Sequence, residues 1–217
     1  MRPLSARFSA VPPAQGLYRP QDEKDACGAA LVATLRGTAG HDIVALALTA
    51  LENLDHRGAV GAEETTGDGA GILTLMPDRF LRAVLDVELP AAGAYAAGCL
   101  YLSRDQDERE AQLRSVEQIA ASERLTVLAR REVPVVTGLV GPSAERTRPH
   151  IEQLVLVDAE ARRSGLALER AAFAVRRRVE HGTEAYFPSL STRTMVYKGM
   201  LTTAQLGAFY PDLGDDR

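Results

Sequence analysis

The sequence predicts a layered domain of mixed helix and strand. Three observations carry this. Segments of strand and helix character are interspersed along all 217 residues, which favours α/β layering over an all-α or all-β arrangement. Hydrophobic residues make up 46% of the chain, enough for a sizeable core, and with no Trp and few Phe or Tyr that core is mainly aliphatic. The length suits one large domain, or a domain with an appendage.

Residues 1–20 contain Pro3, Pro12, Pro13, Gly16 and Pro20 and follow no helical or strand period, so they read as an irregular leader. After the polar stretch Gln21–Ala26, the apolar run at Ala29–Thr34 reads as a strand closed by Arg36-Gly37. Ile43, Leu46, Ala47, Ala50, Leu51 and Leu54 recur at helical spacing, with Asp42 as N-cap and Gly58 as the stop. A loop with Gly61, Gly67 and Gly69 then leads into a short strand over Ile72–Met76. Pro77 suits the first turn of a helix over Asp78–Leu85.

Tyr95–Leu102 reads as a strand and Asp105–Arg124 as a charged amphipathic helix. Leu125–Val136, rich in β-branched residues, reads as a strand, Gly141-Pro142-Ser143 as the start of a loop, and Gln153–Val157 as a strand. Leu166–Val179 reads as a helix with Glu169 in its first turn, Arg176, Arg177 and Arg178 in its last, and His181-Gly182 as its cap. Leu190–Tyr197 reads as a strand and Thr203–Phe209 as a short helix.

Composition narrows the function classes. A net charge of -4 does not point to nucleic acid. No apolar run reaches the roughly 18 residues of a membrane span. The first 26 residues hold three Arg and four Pro but no apolar h-region, which argues against a secretory signal and for a cytoplasmic location. Cys27 and Cys99 form neither a disulfide framework nor a zinc pattern, and the four histidines do not pair at metal spacing, so no metal is expected. Cys99 reads most simply as a buried strand residue. The three consecutive arginines read as a solvated helix face.

The loop Gly67-Asp68-Gly69-Ala70-Gly71 invites a dinucleotide reading, which fails because Ile72 stands where glycine is needed and a strand follows instead of a helix. No Gly-Lys-Ser/Thr follows for a P-loop, and no Gly-x-Ser-x-Gly elbow exists. Close backbone approach and tight turning remain as the reading of this loop.

Cys27 is the candidate nucleophile. By burial habit alone a Cys-Gly pair at a strand start is a structural residue. As an N-terminal residue, however, cysteine carries its own base: an α-amine titrates at about 7.7–8.0, close to working pH. Nucleophile and base then share one residue. A peptide nitrogen cannot serve, so this chemistry requires cleavage between Ala26 and Cys27. Arg57 is the second candidate. It would be a helix-end cation in isolation, but its planar charged fork also suits a carboxylate.

Gly16-Leu17-Tyr18, Asp25-Ala26-Cys27-Gly28, the run from Ala50 through Leu54-Asp55-His56-Arg57-Gly58 to Glu63, and Thr66–Ile72 together resemble the glutaminase domain of class II glutamine amidotransferases. They are most similar to the start of the glutamate synthase large subunit. Ser189–Leu201 and Phe209–Leu213 extend the resemblance to the C-terminal part, while the stretch from 85 to 185 adds little. The resemblance implies an α+β fold, the four-layer αββα N-terminal-nucleophile (Ntn) hydrolase fold, here incomplete at the C-terminus. It divides the chain into a 1–26 leader or propeptide and an amidotransferase domain from 27 to 217.

Function is implied likewise. Cys27 would attack L-glutamine to form a γ-glutamyl thioester, its freed amine would act as base, and Arg57 would shape the glutamine site. The ammonia would aminate 2-oxoglutarate in a distant synthase domain using FMN and an iron–sulfur cluster, neither expected in these 217 residues. The remainder of the large subunit is the expected partner, its small subunit a candidate further one. The family's oxyanion-hole Asn-Gly pair does not occur in this sequence, where Asn53 is the only asparagine. An inactive truncated or split-gene product is therefore the alternative. Another N-terminal-nucleophile amidase is a third reading, disfavoured by the loop after Arg57.

Overall fold

The computed structural model describes residues 28–35, 37–55, 63 and 65–217. In chain order its elements are α1 (His41–Glu52), β1 (Ala70–Leu75), α2 (Asp78–Val84), β2 (Tyr95–Leu102), α3 (Gln106–Ser122), β3 (Leu125–Glu132), α4 (Pro142–Thr147), β4 (His150–Asp158), α5 (Gly165–Gly182), β5 (Thr194–Gly199) and α6 (Gln205–Phe209). A 3₁₀ turn over Pro211–Gly214 follows.

Among the described residues two antiparallel sheets result. One has the order β2-β4-β3, the other pairs β1 with β5. In the first, Tyr95 lies opposite Val157 and Leu102 opposite His150. In the second, Ala70 lies opposite Gly199 and Leu75 opposite Thr194. Strand β2 is buried on both faces, which explains its unbroken apolar run. Its Tyr95, Ala97 and Cys99 enter one core cluster together with Val155 of β4 and Met195 and Tyr197 of β5. Its Ala96, Leu100 and Leu102 enter a second, with Val116 of α3 and Leu168, Ala172 and Val175 of α5. The order of layers is thus α3 and α5, the three-stranded sheet, then β1–β5. The α+β class holds.

Beyond β2, the segment 186–191 closes the sheet edge through single bridges, Ala97 with Ser191 and Tyr101 with Tyr186. Gly98 is needed there: a Cβ would lie 1.9 Å from the Ser189 carbonyl oxygen.

A polar knot is buried between the sheets. Arg131 of β3 grips Asp212 of the C-terminal turn bidentately, at 2.8 and 2.7 Å, and donates to Gln153 Oε1 at 2.9 Å. Gln153 Nε2 donates to Tyr197 Oη at 2.6 Å, and Tyr197 donates to Asp212 Oδ2 at 3.1 Å. Gln153 has no solvent exposure, and no buried side-chain polar atom among the described residues lacks a partner. Burial holds the Tyr197 phenol well above its ordinary pKa, so it remains a donor to Asp212.

Several expectations need correction. Ala29–Thr34 forms no strand among the described residues, and Leu31 is 91% exposed. An apolar run becomes a strand only where a sheet edge receives it. Asp42 does not cap α1; the N-cap is Gly40, without a side-chain bond. The α1 face toward the core carries Val44, Leu48 and Leu51, while Leu46 is exposed. Gly141-Pro142-Ser143 opens a helix rather than a loop, with Pro142 at its start. β3 stops at Glu132, ahead of Pro134.

α5 begins at Gly165, so Glu169 lies beyond its first turn. There Glu169 accepts from Ser191 Oγ and from the Thr192 amide and hydroxyl. His181 and Gly182 remain helical and Thr183 is the C-cap. The three arginines serve ion pairs: Arg176 and Arg177 with Glu180, Arg178 with Glu123. β5 begins at Thr194 instead of Leu190.

Truncating Asp212 to Ala should strand the Arg131 guanidinium between the sheets and cost about 3–5 kcal/mol. The urea midpoint of D212A against wild type measures this.

Candidate active site

The glycine loop behaves as its sequence suggests. At Gly67 a Cβ would lie 2.3 Å from the Leu201 carbonyl oxygen, and at Gly71 2.7 Å from Lys198 Cβ. Gly69 has φ +141°, a conformation L side chains rarely adopt. The loop is therefore pressed against the end of β5 and the residues after it, and enters β1 from that position.

Glu63 anchors the start of this loop. Its Oε2 accepts from Thr66 Oγ1 at 2.7 Å and from the Ser143 amide at 3.0 Å. Its Oε1 accepts from Ser143 Oγ at 2.7 Å. Thr65 accepts through its carbonyl from the Gly141 amide at 2.9 Å. The Gln205 side chain joins three segments: Nε2 donates to Thr65 O at 3.0 Å and Leu139 O at 2.8 Å, while Oε1 accepts from the Thr202 amide at 2.8 Å. On the other side, Thr203 Oγ1 donates to Asp55 Oδ1 at 2.7 Å.

The Thr66 hydroxyl, then the Ser143 amide and hydroxyl, pull the Glu63 carboxyl down to about 2, with Arg146 adding a smaller attraction. Cys99 is different. Its thiol lies inside the core at 1% exposure, and burial pushes it up to about 12, so it is neither a thiolate nor accessible. A small cavity beside the glycine loop is lined by Tyr101, Arg148, Lys198, Met200, Leu201 and Tyr210. Tyr101 Oη and Tyr210 Oη both donate to Lys198 O, at 2.5 and 2.8 Å.

Of the residues singled out from sequence, Ala26, Cys27, His56 and Arg57 lie outside the described residues. Glu63, Ser143, Thr203 and Gln205, which hold the loop through hydrogen bonds, escape sequence reasoning. Glu63 closes the motif that begins at Ala50, which was a signal of importance without a role. The other three carry no local signal, because their partners are remote in sequence.

The class II glutamine amidotransferase family matches residues 27–217. The chain belongs to this family. Three relatives are glutamate synthases. The NADPH-dependent large chain of Bacillus subtilis (strain 168) is 40% identical over 215 residues, 96% of this chain and 14% of that protein. Ferredoxin-dependent glutamate synthase 2 of Synechocystis is 37% identical over 197 residues, 88% of this chain and 13% of that protein. The NADPH-dependent large chain of Azospirillum brasilense is 35% identical over 209 residues, covering 92% and 14%. The chain thus spans about a seventh of the length of these relatives and is homologous to their glutamine amidotransferase part. Membership implies an Ntn hydrolase fold. No helix among the described residues is long and apolar enough to cross a membrane.

Because the Glu63 carboxyl is depressed from 4.5 to about 2, its contribution to stability is complete above about pH 4.5 and is lost as pH falls toward 2. The stability gap between wild type and E63Q should be widest near pH 7 and narrow from about pH 5 to about pH 3. Urea midpoints across that range measure it.

Proposed function

We propose that this chain is the glutaminase part of a glutamate synthase, with Cys27 as an N-terminal nucleophile. The observation that carries the reading is that the family match begins at residue 27, the one position where a cysteine freed at its amine supplies both nucleophile and base. Removal of residues 1–26 is part of this proposal, as is the division into leader and 27–217 domain. The four-layer αββα arrangement is its fold.

The Cys27 amine takes the thiol proton, and the Sγ attacks the amide carbon of glutamine. The tetrahedral intermediate collapses as that proton passes to the departing ammonia. A γ-glutamyl thioester remains, and water activated by the same amine releases glutamate. Arg57 shapes the glutamine site by offering a fixed, permanently charged fork. Cys99 takes no part, being buried and protonated.

L-glutamine is the substrate and the rest of a glutamate synthase large subunit the partner, with its small subunit as a further one. The ammonia is passed on for amination of 2-oxoglutarate. The FMN and iron–sulfur cluster of that step do not belong to these residues. Two cysteines, one sealed in the core, cannot supply the thiolate set that a cluster needs. A cytoplasmic location completes the reading.

Within these 217 residues there is no Asn-Gly pair, so a second reading is that this stretch by itself hydrolyses no glutamine. Loss of one oxyanion donor alone costs about 10²–10³ in turnover. The two readings separate when glutamine hydrolysis is followed for the chain beginning at Cys27, alone and within a polypeptide continuing to the length of the relatives. The longer form should hydrolyse glutamine, and C27A should lower its kcat at least about 10³-fold. R57A should raise KM about 10- to 100-fold. Undiminished activity in C27A contradicts the proposal.

A further inference from the structure

The outer layer formed by α3 and α5 carries its charges sorted by helix. From Asp105 to Glu123 six carboxylates stand against two arginines, and from Arg162 to Gly182 six arginines stand against two carboxylates. The two helices are neighbours. Val116 of α3 shares a core with Leu168 and Val175 of α5, and Arg178 Nη1 donates to Ser122 Oγ at 2.6 Å and to Glu123 Oε1 at 2.7 Å. Arg178–Glu123 is the single ion pair joining these two stretches among the described residues.

On each helix four solvent-exposed residues recur at the same spacing, i, i+4, i+7 and i+11, and so form one stripe. On α3 they are Glu110, Arg114, Glu117 and Ala121; on α5 they are Leu166, Arg170, Phe173 and Arg177. Run antiparallel, the two stripes are complementary at every position. Glu117 meets Arg170 and Glu110 meets Arg177. Between them the Arg114 guanidinium meets Phe173, a cation–π pairing, and beyond them Ala121 meets Leu166. Run parallel, Arg114 would meet Arg170 and Glu117 would meet Phe173, so charge selects the antiparallel arrangement.

Within the chain the stripes are only loosely engaged. Arg170 makes no ion pair or hydrogen bond among the described residues. Glu110 meets Arg114 at 3.8 Å, and Glu117 meets Arg130 at 4.0 Å. Arg177 shares the Glu180 carboxylate with Arg176. Phe173 and Leu166 are 58% and 56% exposed. A lone exposed aromatic needs no explanation. Phe173 is different, because it is centred in a cationic stripe that matches an acidic stripe on the same surface.

We propose that the α3–α5 layer is a self-complementary docking face for a second copy of this chain, the α3 of each copy pairing antiparallel with the α5 of the other. A two-fold pair satisfies both stripes at once. Helices of 17 and 18 residues are about 25 Å long. Two side by side are about 20 Å wide, room for the roughly 600 Å² per partner of a small specific interface. The charge pairs set the register and speed encounter, while Phe173 and Leu166 supply apolar area to bury. The inference is independent of the glutamine chemistry proposed above.

Sedimentation equilibrium of the 217-residue chain tests it, with wild type, R170E/R177E, E110K/E117K and F173S, each checked for folding by circular dichroism. Wild type should dimerise in the micromolar range at about 50 mM salt and weaken several-fold at about 500 mM. Each double reversal should raise Kd at least about tenfold. Mixed in equal amounts, the two reversals should form a heterodimer within about threefold of wild-type affinity. In that pair the reversed α5 faces the reversed α3, and the two native stripes face each other. F173S, which changes no charge, should raise Kd about tenfold and leave the salt dependence in place.

A wild type that stays monomeric at about 1 mM means that the face serves another partner or none, and overturns the inference. So does a dimer indifferent to both reversals, or a mixture of the reversals that regains no affinity. Should either double reversal fail to fold, the single substitutions R170E and E117K decide by the same mixing.

Discussion

The buried knot of Arg131, Asp212, Gln153 and Tyr197 is the constraint on which the rest of the structure depends. It joins β3, β4, β5 and the C-terminal turn across the space between two sheets. Ion pairs inside proteins are poor sources of stability, because desolvation offsets much of their attraction. Their use is in geometry: a bidentate guanidinium–carboxylate pair tolerates one arrangement, whereas aliphatic faces can slide. Tyr197 is the member that belongs to the two-stranded sheet, so the knot fixes the depth at which β5 lies on β4.

Everything around the candidate site follows from the position of β5. Its register with β1 sets where the glycine loop must enter, from Gly71 opposite Lys198 to Ala70 opposite Gly199. The residues just beyond β5 then supply the Leu201 carbonyl that only glycine can approach at position 67, and the Thr202–Gln205 turn whose side chains hold Asp55 and Thr65. A knot remote in sequence from the glycine loop therefore bears on where that loop sits.

What could be read from sequence divides along physical lines. Tyr95–Leu102 is legible to the residue, because a strand buried on both faces shows an unbroken apolar run between turn residues. Asp105 is legible as a helix start because its carboxylate accepts from the Glu108 amide, a local bond written in local sequence. The run after Cys27 has the composition of a strand but is no strand among the described residues, and composition cannot report a partner edge. Glu169 illustrates the same limit: its helix-start signature is local, whereas its bonds to Ser191 and Thr192 bridge two segments more than twenty residues apart. In the site, the glycines announce close approach, but what they approach is visible only in the fold. Glu63 carries a motif signal, while Ser143, Thr203 and Gln205 act through long-range pairs with none.

The central claim is that Cys27 acts as an N-terminal residue. Its most direct test is the intact mass and N-terminal sequence of the protein purified from its native host. The account predicts a mature species whose first residue is Cys27, with a free α-amine. A protein that retains Ala26 on Cys27, and nevertheless hydrolyses glutamine, would contradict it.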